Sequence, residues 1–322
     1  MLFQQLLLFG KNKFYRLELF MSVRTISASE FLSSLFSNFH EPFVVHNFSS
    51  LLPEFEKLRE SLRLDNLLEK TRNISDSIGF VVERRSVEEV SISTALSTLV
   101  SGADGYINGW EYMASDCCVL PQSLELDEFI FSRNNFLKIL DLPSANLLDT
   151  VMKWIFISRG SGSYSGWHKD PIGSAAWMLM IEGTKIWSFP NNSQIKISVG
   201  DLIVIPPGIE HKVTNIGDSV NVAISHNWIP IQDTTLMWKE LFRGLSELKK
   251  FHIAKIDSED STNILNQFHE TNDSVDNLLF GLMMVFLHMD LEKRENVLVE
   301  YCLNDQVQNE IRDLLNELEH LT

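Results

Sequence analysis

Apolar residues recur along this chain in two rhythms, and the switch between them predicts its architecture. In the first third the rhythm is mostly helical. Ser27-Ala28-Ser29-Glu30 has capping-box form, in which a serine hydroxyl and a glutamate three residues on satisfy the first free amides of a helix. Phe31, Leu32, Leu35, Phe36 and Phe39 follow at helical spacing until Pro42. Beyond it the pattern predicts a strand at 43–45, a leucine-spaced charged helix over 51–71, strands at 78–83 and 90–92, and a helix at 94–100. Gly102 and Gly105 then mark a turn.

From Trp154 the rhythm changes. A β-type run at 154–157 is closed by Gly160-Ser161-Gly162-Ser163, which is expected to be flexible. Short runs follow at 176–181, 185–189, 195–197, 202–205, 211–214 and 220–225. Gly183, Asn191-Asn192, Gly200-Asp201, Pro206-Pro207-Gly208 and Gly217-Asp218 separate them. Many short strands with closely spaced turn signals indicate a sandwich or barrel. After Pro230 helical periodicity returns at 236–248, and 275–322 reads as two or three helices. The expected fold is a mostly β core with flanking helices. It divides into an N-terminal extension (1–25), a domain over 26–235 with its core at about 150–230, and a C-terminal helical region (236–322).

Charge narrows the partners. The formal net charge is -16 and the pI about 5.0. Such a surface repels nucleic acid and anionic membrane and favours a basic protein or peptide. No run approaches the ~18 apolar residues of a membrane span. The opening MLFQQLLLFG lacks a basic region ahead of its short apolar run, so 1–25 reads as an extension rather than a cleaved signal, with Met21 as a second candidate start. The three cysteines, Cys117, Cys118 and Cys302, suit neither a disulfide framework nor a zinc knuckle. A reducing compartment, cytoplasm or nucleus, is expected.

Chemistry concentrates in Gly166-Trp167-His168-Lys169-Asp170-Pro171. Residues two apart on a strand share a face, so His168 and Asp170 can converge on one metal. His211, which follows the Pro206-Pro207-Gly208 turn, is the best third ligand. Two histidines and a carboxylate on one side of an ion form the facial triad of non-haem iron(II) oxygenases, with positions open for a chelating cosubstrate and dioxygen. Alone, a His-x-Asp pair is more often a surface pair than a metal site, and a lone His211 more often a core histidine than a ligand; together they change the odds. His226 and the other histidines lack comparable context.

The run from His168 through Asp170-Pro171, Gly173-Ser174 and Trp177, then Gly183-Thr184-Lys185-Ile186-Trp187, resembles the jumonji-C core of 2-oxoglutarate oxygenases. It is most similar to the branch of the phosphatidylserine-receptor-type lysyl hydroxylase. Residues 220–228 with Met237-Trp238 look more like the lysyl hydroxylase acting on translation release factor. Tyr106-Ile107-Asn108-Gly109-Trp110 resembles a tyrosine-bearing strand in both. The resemblance implies a double-stranded β-helix of the cupin or jelly-roll kind. It also implies iron(II) on His168, Asp170 and His211, and 2-oxoglutarate as cosubstrate. Lys185 matches the lysine that pairs with the distal carboxylate of 2-oxoglutarate; an outward-facing strand lysine is the alternative. Ser165 and Tyr106 match hydroxyl donors to the same carboxylate, and Asn227 an asparagine near the cosubstrate. Met178 stands where the branch carries asparagine, and the turn at 216–218 is longer than in the relatives.

The implied activity is hydroxylation of a protein side chain, a lysyl residue first and a translation factor among the substrates. The alternatives are histone lysine demethylation and a non-catalytic cupin-like binding module. Leu278, Leu279, Met283, Phe286 and Leu287 form an apolar face that serves either the chain's own core or a homodimer through the C-terminal helices.

Overall fold

The structure is a computed structural model that describes residues 23–27, 30–31, 40–74, 77–82, 86–112, 134–160, 165–255, 264–271 and 276–319. Most of the helix expected at 31–39, Cys117, Cys118 and Ser161-Gly162-Ser163 lie outside the described residues. Ser27 Oγ does accept the Glu30 amide at 3.1 Å, the contact a capping box requires.

Described strands are β1 (Arg24–Ser27), β2 (Phe43–His46), β3 (Ser77–Val82), β4 (Ser86–Ser91), β5 (Gly105–Trp110) and β6 (Lys153–Arg159). They continue with β7 (Ala175–Glu182), β8 (Thr184–Ser188), β9 (Gln194–Ser198), β10 (Leu202–Ile205), β11 (Lys212–Ile216) and β12 (Val220–Trp228). One sheet runs β1-β2-β10-β7-β12-β6-β5-β3-β4 and the other β11-β8-β9. An isolated antiparallel bridge, His168 to His211, adds one rung beyond β11. From β6 to β12 the chain passes back and forth between these two walls, and every pairing among β6, β12, β7 and β10 is antiparallel. That winding makes the core a jelly roll, the double-stranded β-helix expected from sequence.

Alternation within strands sorts side chains between two environments. On β7, Trp177, Leu179 and Ile181 pack outward with Leu58, Leu67 and Leu96. Those leucines come from α1 (Phe55–Ser61), α2 (Leu64–Thr71) and α3 (Ile92–Val100). Met178 and Met180 instead join Trp187, Ile197, Ile203 and Val213 inside the barrel. Both faces of β7 are covered, which is why the strand reads as an unbroken apolar run.

A second core lies on the other side of the chain. Here α4 (Phe136–Ile139) and α5 (Pro143–Val151) pack with α6 (Thr235–Lys255), α7 (Ile264–Thr271), α8 (Asn277–Leu287), α9 (Leu291–Tyr301) and α10 (Asp305–Leu318). Phe136 sits edge-on against Trp238 and Tyr301. The helical region therefore recruits residues 136–151 from ahead of the β core, a partnership that periodicity did not predict. β1 likewise straddles the expected boundary at residue 25 and pairs in parallel with β2. Leu279, Met283, Phe286 and Leu287 are buried within this one chain, and Leu278 packs partly against them. Their face is thus used internally. Among the described residues, no helix is long and apolar enough to cross a membrane.

Candidate metal centre

His168 and His211 face one another as a hydrogen-bonded antiparallel pair. The His168 amide donates to the His211 carbonyl at 3.0 Å and the His211 amide returns the bond at 2.8 Å. Side chains of such a pair project to the same side, and the ring centres lie 4.4 Å apart. Asp170 follows at the next same-facing position. Donor atoms of the three residues all lie within 4.8 Å of one another.

Tautomers are fixed by the backbone. Nδ1 of His168 lies 2.8 Å from the Gly166 carbonyl, and Nδ1 of His211 lies 3.0 Å from that of Ile209. A carbonyl only accepts, so each Nδ1 carries the proton and each Nε2 presents a lone pair. Burial holds the His211 imidazole below the usual histidine range; the nearby Asp170 carboxylate offsets part of that effect. A neutral ring is the form that binds a metal.

The carboxylate is set as firmly. Asn227 Nδ2 donates to Asp170 Oδ1 at 3.0 Å and also reaches Ser174 Oγ at 2.9 Å. Ser174 in turn donates to the Pro171 carbonyl. Asp170 Oδ2 is buried and, among the described residues, has no hydrogen-bond partner. A buried carboxylate oxygen left bare is costly, and a cation between the two imidazoles is what would satisfy it. The residues therefore fit a divalent metal held on one side by two nitrogens and an oxygen. His168 is exposed and His211 buried, so access is from the His168 side.

A cavity of about 510 Å³ opens over these ligands, lined by Tyr106, Asn108, Trp154, Phe156, Ser165, Trp167, Met178, Trp187, Val213 and Ser225 among others. Its walls are largely apolar. Trp187 lies against His211, ring centres 4.9 Å apart. Trp167 stands at the cavity with 51 % of its surface exposed.

The remaining residues expected in the site are placed as follows. Lys185 points inward and is 1 % exposed. Its amine donates to Asn215 Oδ1 and lies 5.6 Å from the ring centre of Tyr106 and 6.0 Å from that of Phe156. Burial pulls its pKa down to about 7. Tyr106 is buried too, and desolvation pushes its phenol well above the ordinary range. Ser165 pairs with the next inward residue of β11: its amide donates to the Val213 carbonyl and its hydroxyl accepts the Val213 amide. Asn227 commits its amide hydrogens to Asp170 and Ser174, which makes it a support of the metal-facing carboxylate. His226 lies on the opposite face of β12, with Nε2 2.6 Å from the Tyr112 hydroxyl.

Sequence reasoning missed Asn215, Ser174 and Ser158. Ser158 pairs with Tyr106 across β5 and β6, and its buried hydroxyl has no partner among the described residues. Alternation along β11 from His211 could have identified Asn215, since 211, 213 and 215 share a face.

Fold and site together define a jelly-roll protein with a candidate His-Asp-His metal centre inside its barrel. No protein-family model matches the chain, and no curated protein does. Among solved structures it is similar to a cupin-2 domain protein of Shewanella frigidimarina, at 23% identity over 23% of this chain and 69% of that one, TM-score 0.19. A protein of unknown function from the DUF861 family, of Pseudomonas syringae pv. tomato, matches at 18% identity over 23% of this chain and 30% of its own, TM-score 0.20. A cupin superfamily protein of Desulfitobacterium hafniense matches at 13% identity over 24% and 68%, TM-score 0.21. These overlaps cover about a quarter of the chain, so the fold assignment rests on the strand order itself.

Proposed function

We propose that this protein is an iron(II)- and 2-oxoglutarate-dependent protein hydroxylase of the jumonji-C type. The observation that carries the reading is the buried, unpartnered Asp170 Oδ2 beside two imidazoles whose Nδ1 protons are already committed. The inward Lys185 adds to it. Among the described residues it has no carboxylate partner, and a buried ammonium calls for an anion.

Bound together, iron(II) and 2-oxoglutarate would supply the oxidation of a substrate C–H bond by dioxygen, with succinate and carbon dioxide as by-products. The chain's own residues do the rest. His168, Asp170 and His211 hold the metal, and Asn227 with Ser174 keeps the carboxylate turned toward it. Lys185 offers positive charge to the distal carboxylate of the acid, with the hydroxyls of Ser165 and Tyr106 as further donors. Met178, Phe156 and Val213 exclude water from the space between. Trp167 meets the substrate at the mouth. An acidic protein attracts a basic segment, which fits a lysyl side chain as target. The same resemblance to known hydroxylases puts a translation factor among the candidates.

The test is incubation of the iron-loaded protein with 2-oxoglutarate and a panel of basic peptides, read by peptide mass and succinate release. A gain of one oxygen is expected, absent in His168→Ala and Asp170→Ala. Loss of a methyl group would indicate a demethylase instead. A metal-loaded protein that never consumes 2-oxoglutarate would make it a binding module.

A further inference from the structure

Deep in the barrel, the group that meets Lys185 is an amide. Asn215 lies directly across the β8–β11 ladder from it, and both side chains are 1 % exposed. Among the described residues, the rings of Tyr106 from β5 and Phe156 from β6 lie near the amine, and Ile197 of β9 is the register partner of Lys185 on its other side. None of these carries a charge at neutral pH. An amine sealed in such surroundings needs an acceptor, or it loses hydrogen bonding that water would supply. The carboxamide oxygen of Asn215 is that acceptor.

The choice of amide has a consequence. An aspartate there would neutralise the lysine and remove its attraction for an incoming carboxylate. An apolar residue would leave the amine free to swing away. The amide fixes its direction without consuming its charge. Asn215 on β11 lies four residues beyond His211, whose bridge to His168 immediately precedes that strand, so one short segment carries both a metal ligand and the anchor of the anion-binding lysine.

We propose that Asn215 is a positioning residue whose carboxamide oxygen holds Lys185 in place before the acid arrives and keeps it aimed at the acid's far carboxylate. This rests on the cosubstrate reading above. It extends that reading to a residue that never touches the metal and orders acid binding through another side chain.

Manganese(II)-loaded protein would be titrated calorimetrically with 2-oxoglutarate between pH 6.5 and 8.5, for wild type, Asn215→Leu and Asn215→Asp. Lys185 would be followed separately by carbon-13 NMR of labelled lysine in acid-free protein. Asn215→Leu should weaken acid binding about tenfold, the scale of one buried hydrogen bond to a charged group. Asn215→Asp should weaken it further and raise the pH at which Lys185 gains its proton. Manganese affinity should stay at the wild-type value in both, which excludes a general collapse of the barrel. Wild-type acid affinity in both variants, or an unmoved Lys185 titration in Asn215→Asp, would overturn the role of Asn215 and leave the cosubstrate reading standing. A wild-type protein that binds manganese but no 2-oxoglutarate would overturn both.

Discussion

Asn227 on β12 and Asp170 in the turn after His168 are joined by a 3.0 Å amide–carboxylate hydrogen bond across 57 residues of chain. The bond uses Oδ1 and leaves Oδ2 bare beside the two histidines. Support of this kind fixes a ligand's orientation and is worth about 10–100-fold in metal affinity. Asn227→Ala should therefore weaken manganese(II) binding by that factor while changing the thermal midpoint little. Competition dialysis against a chelator measures the first and calorimetric melting the second. Wild-type metal affinity would remove Asn227 from the site.

The buried amine of Lys185 makes stability depend on pH in a definite direction. Its pKa falls from 10.5 in the unfolded chain to about 7 in the fold. Above 10.5 both states are neutral and burial costs no charge. Between 10.5 and 7 the unfolded chain binds the proton first, so stability declines as pH falls, by about 1.4 kcal/mol per pH unit. Below 7 both states are protonated and the penalty is complete. Lys185→Met should stabilise the acid-free protein, more at pH 6.5 than at pH 9.5, in urea titrations at the two values. A gain that did not shrink at high pH would show that Lys185 is not held uncharged by burial.

Gly173 closes the turn that carries Asp170 and adopts a left-handed φ of +66°. A Cβ there would lie 2.6 Å from the backbone of Leu236 and Met237 in the first turn of α6. Backbone cannot step aside as a flexible side chain can. Gly173→Ala should cost about 1–3 kcal/mol from strain alone, and more from the contact. Metal affinity should fall with it, because the displaced turn holds Asp170. Chemical denaturation with a parallel metal titration checks both; an unperturbed variant would mean that the turn is not pinned against α6.

Trp167 lines the cavity with about half of its surface exposed. Trp167→Ala should leave stability within about 0.5 kcal/mol. Uncoupled decarboxylation of 2-oxoglutarate should persist, while KM for a peptide substrate rises several-fold. Equal loss of coupled and uncoupled turnover would place Trp167 within the metal site rather than at its mouth.

Much of this was legible from one sequence because the relevant signals are local. Turn residues and alternation from Trp154 onward placed β6 to β12 within a few residues. The His-x-Asp spacing brought His168 and Asp170 to one face, and the Pro-Pro-Gly turn marked where His211 begins its strand. Other features gave no local signal. Residues 136–152 joined the C-terminal helices through Phe136, Leu148 and Met152, contacts that are distant in sequence. Asn227 could be matched to a cosubstrate neighbour but not to Asp170, since its partner is chosen by the bend of the turn.

The sequence by itself determined the strands of the β core from Trp154 onward and which three side chains could bind a metal, because strand periodicity and ligand chemistry are properties of short segments; β1 and most of β4 were not read from it. Only the tertiary structure decided that Lys185 is sealed inside against Asn215, that Asp170 keeps one oxygen bare, and that both Nδ1 protons are already committed. Those outcomes depend on which wall of the barrel faces which, and that is set by register between strands far apart in the chain.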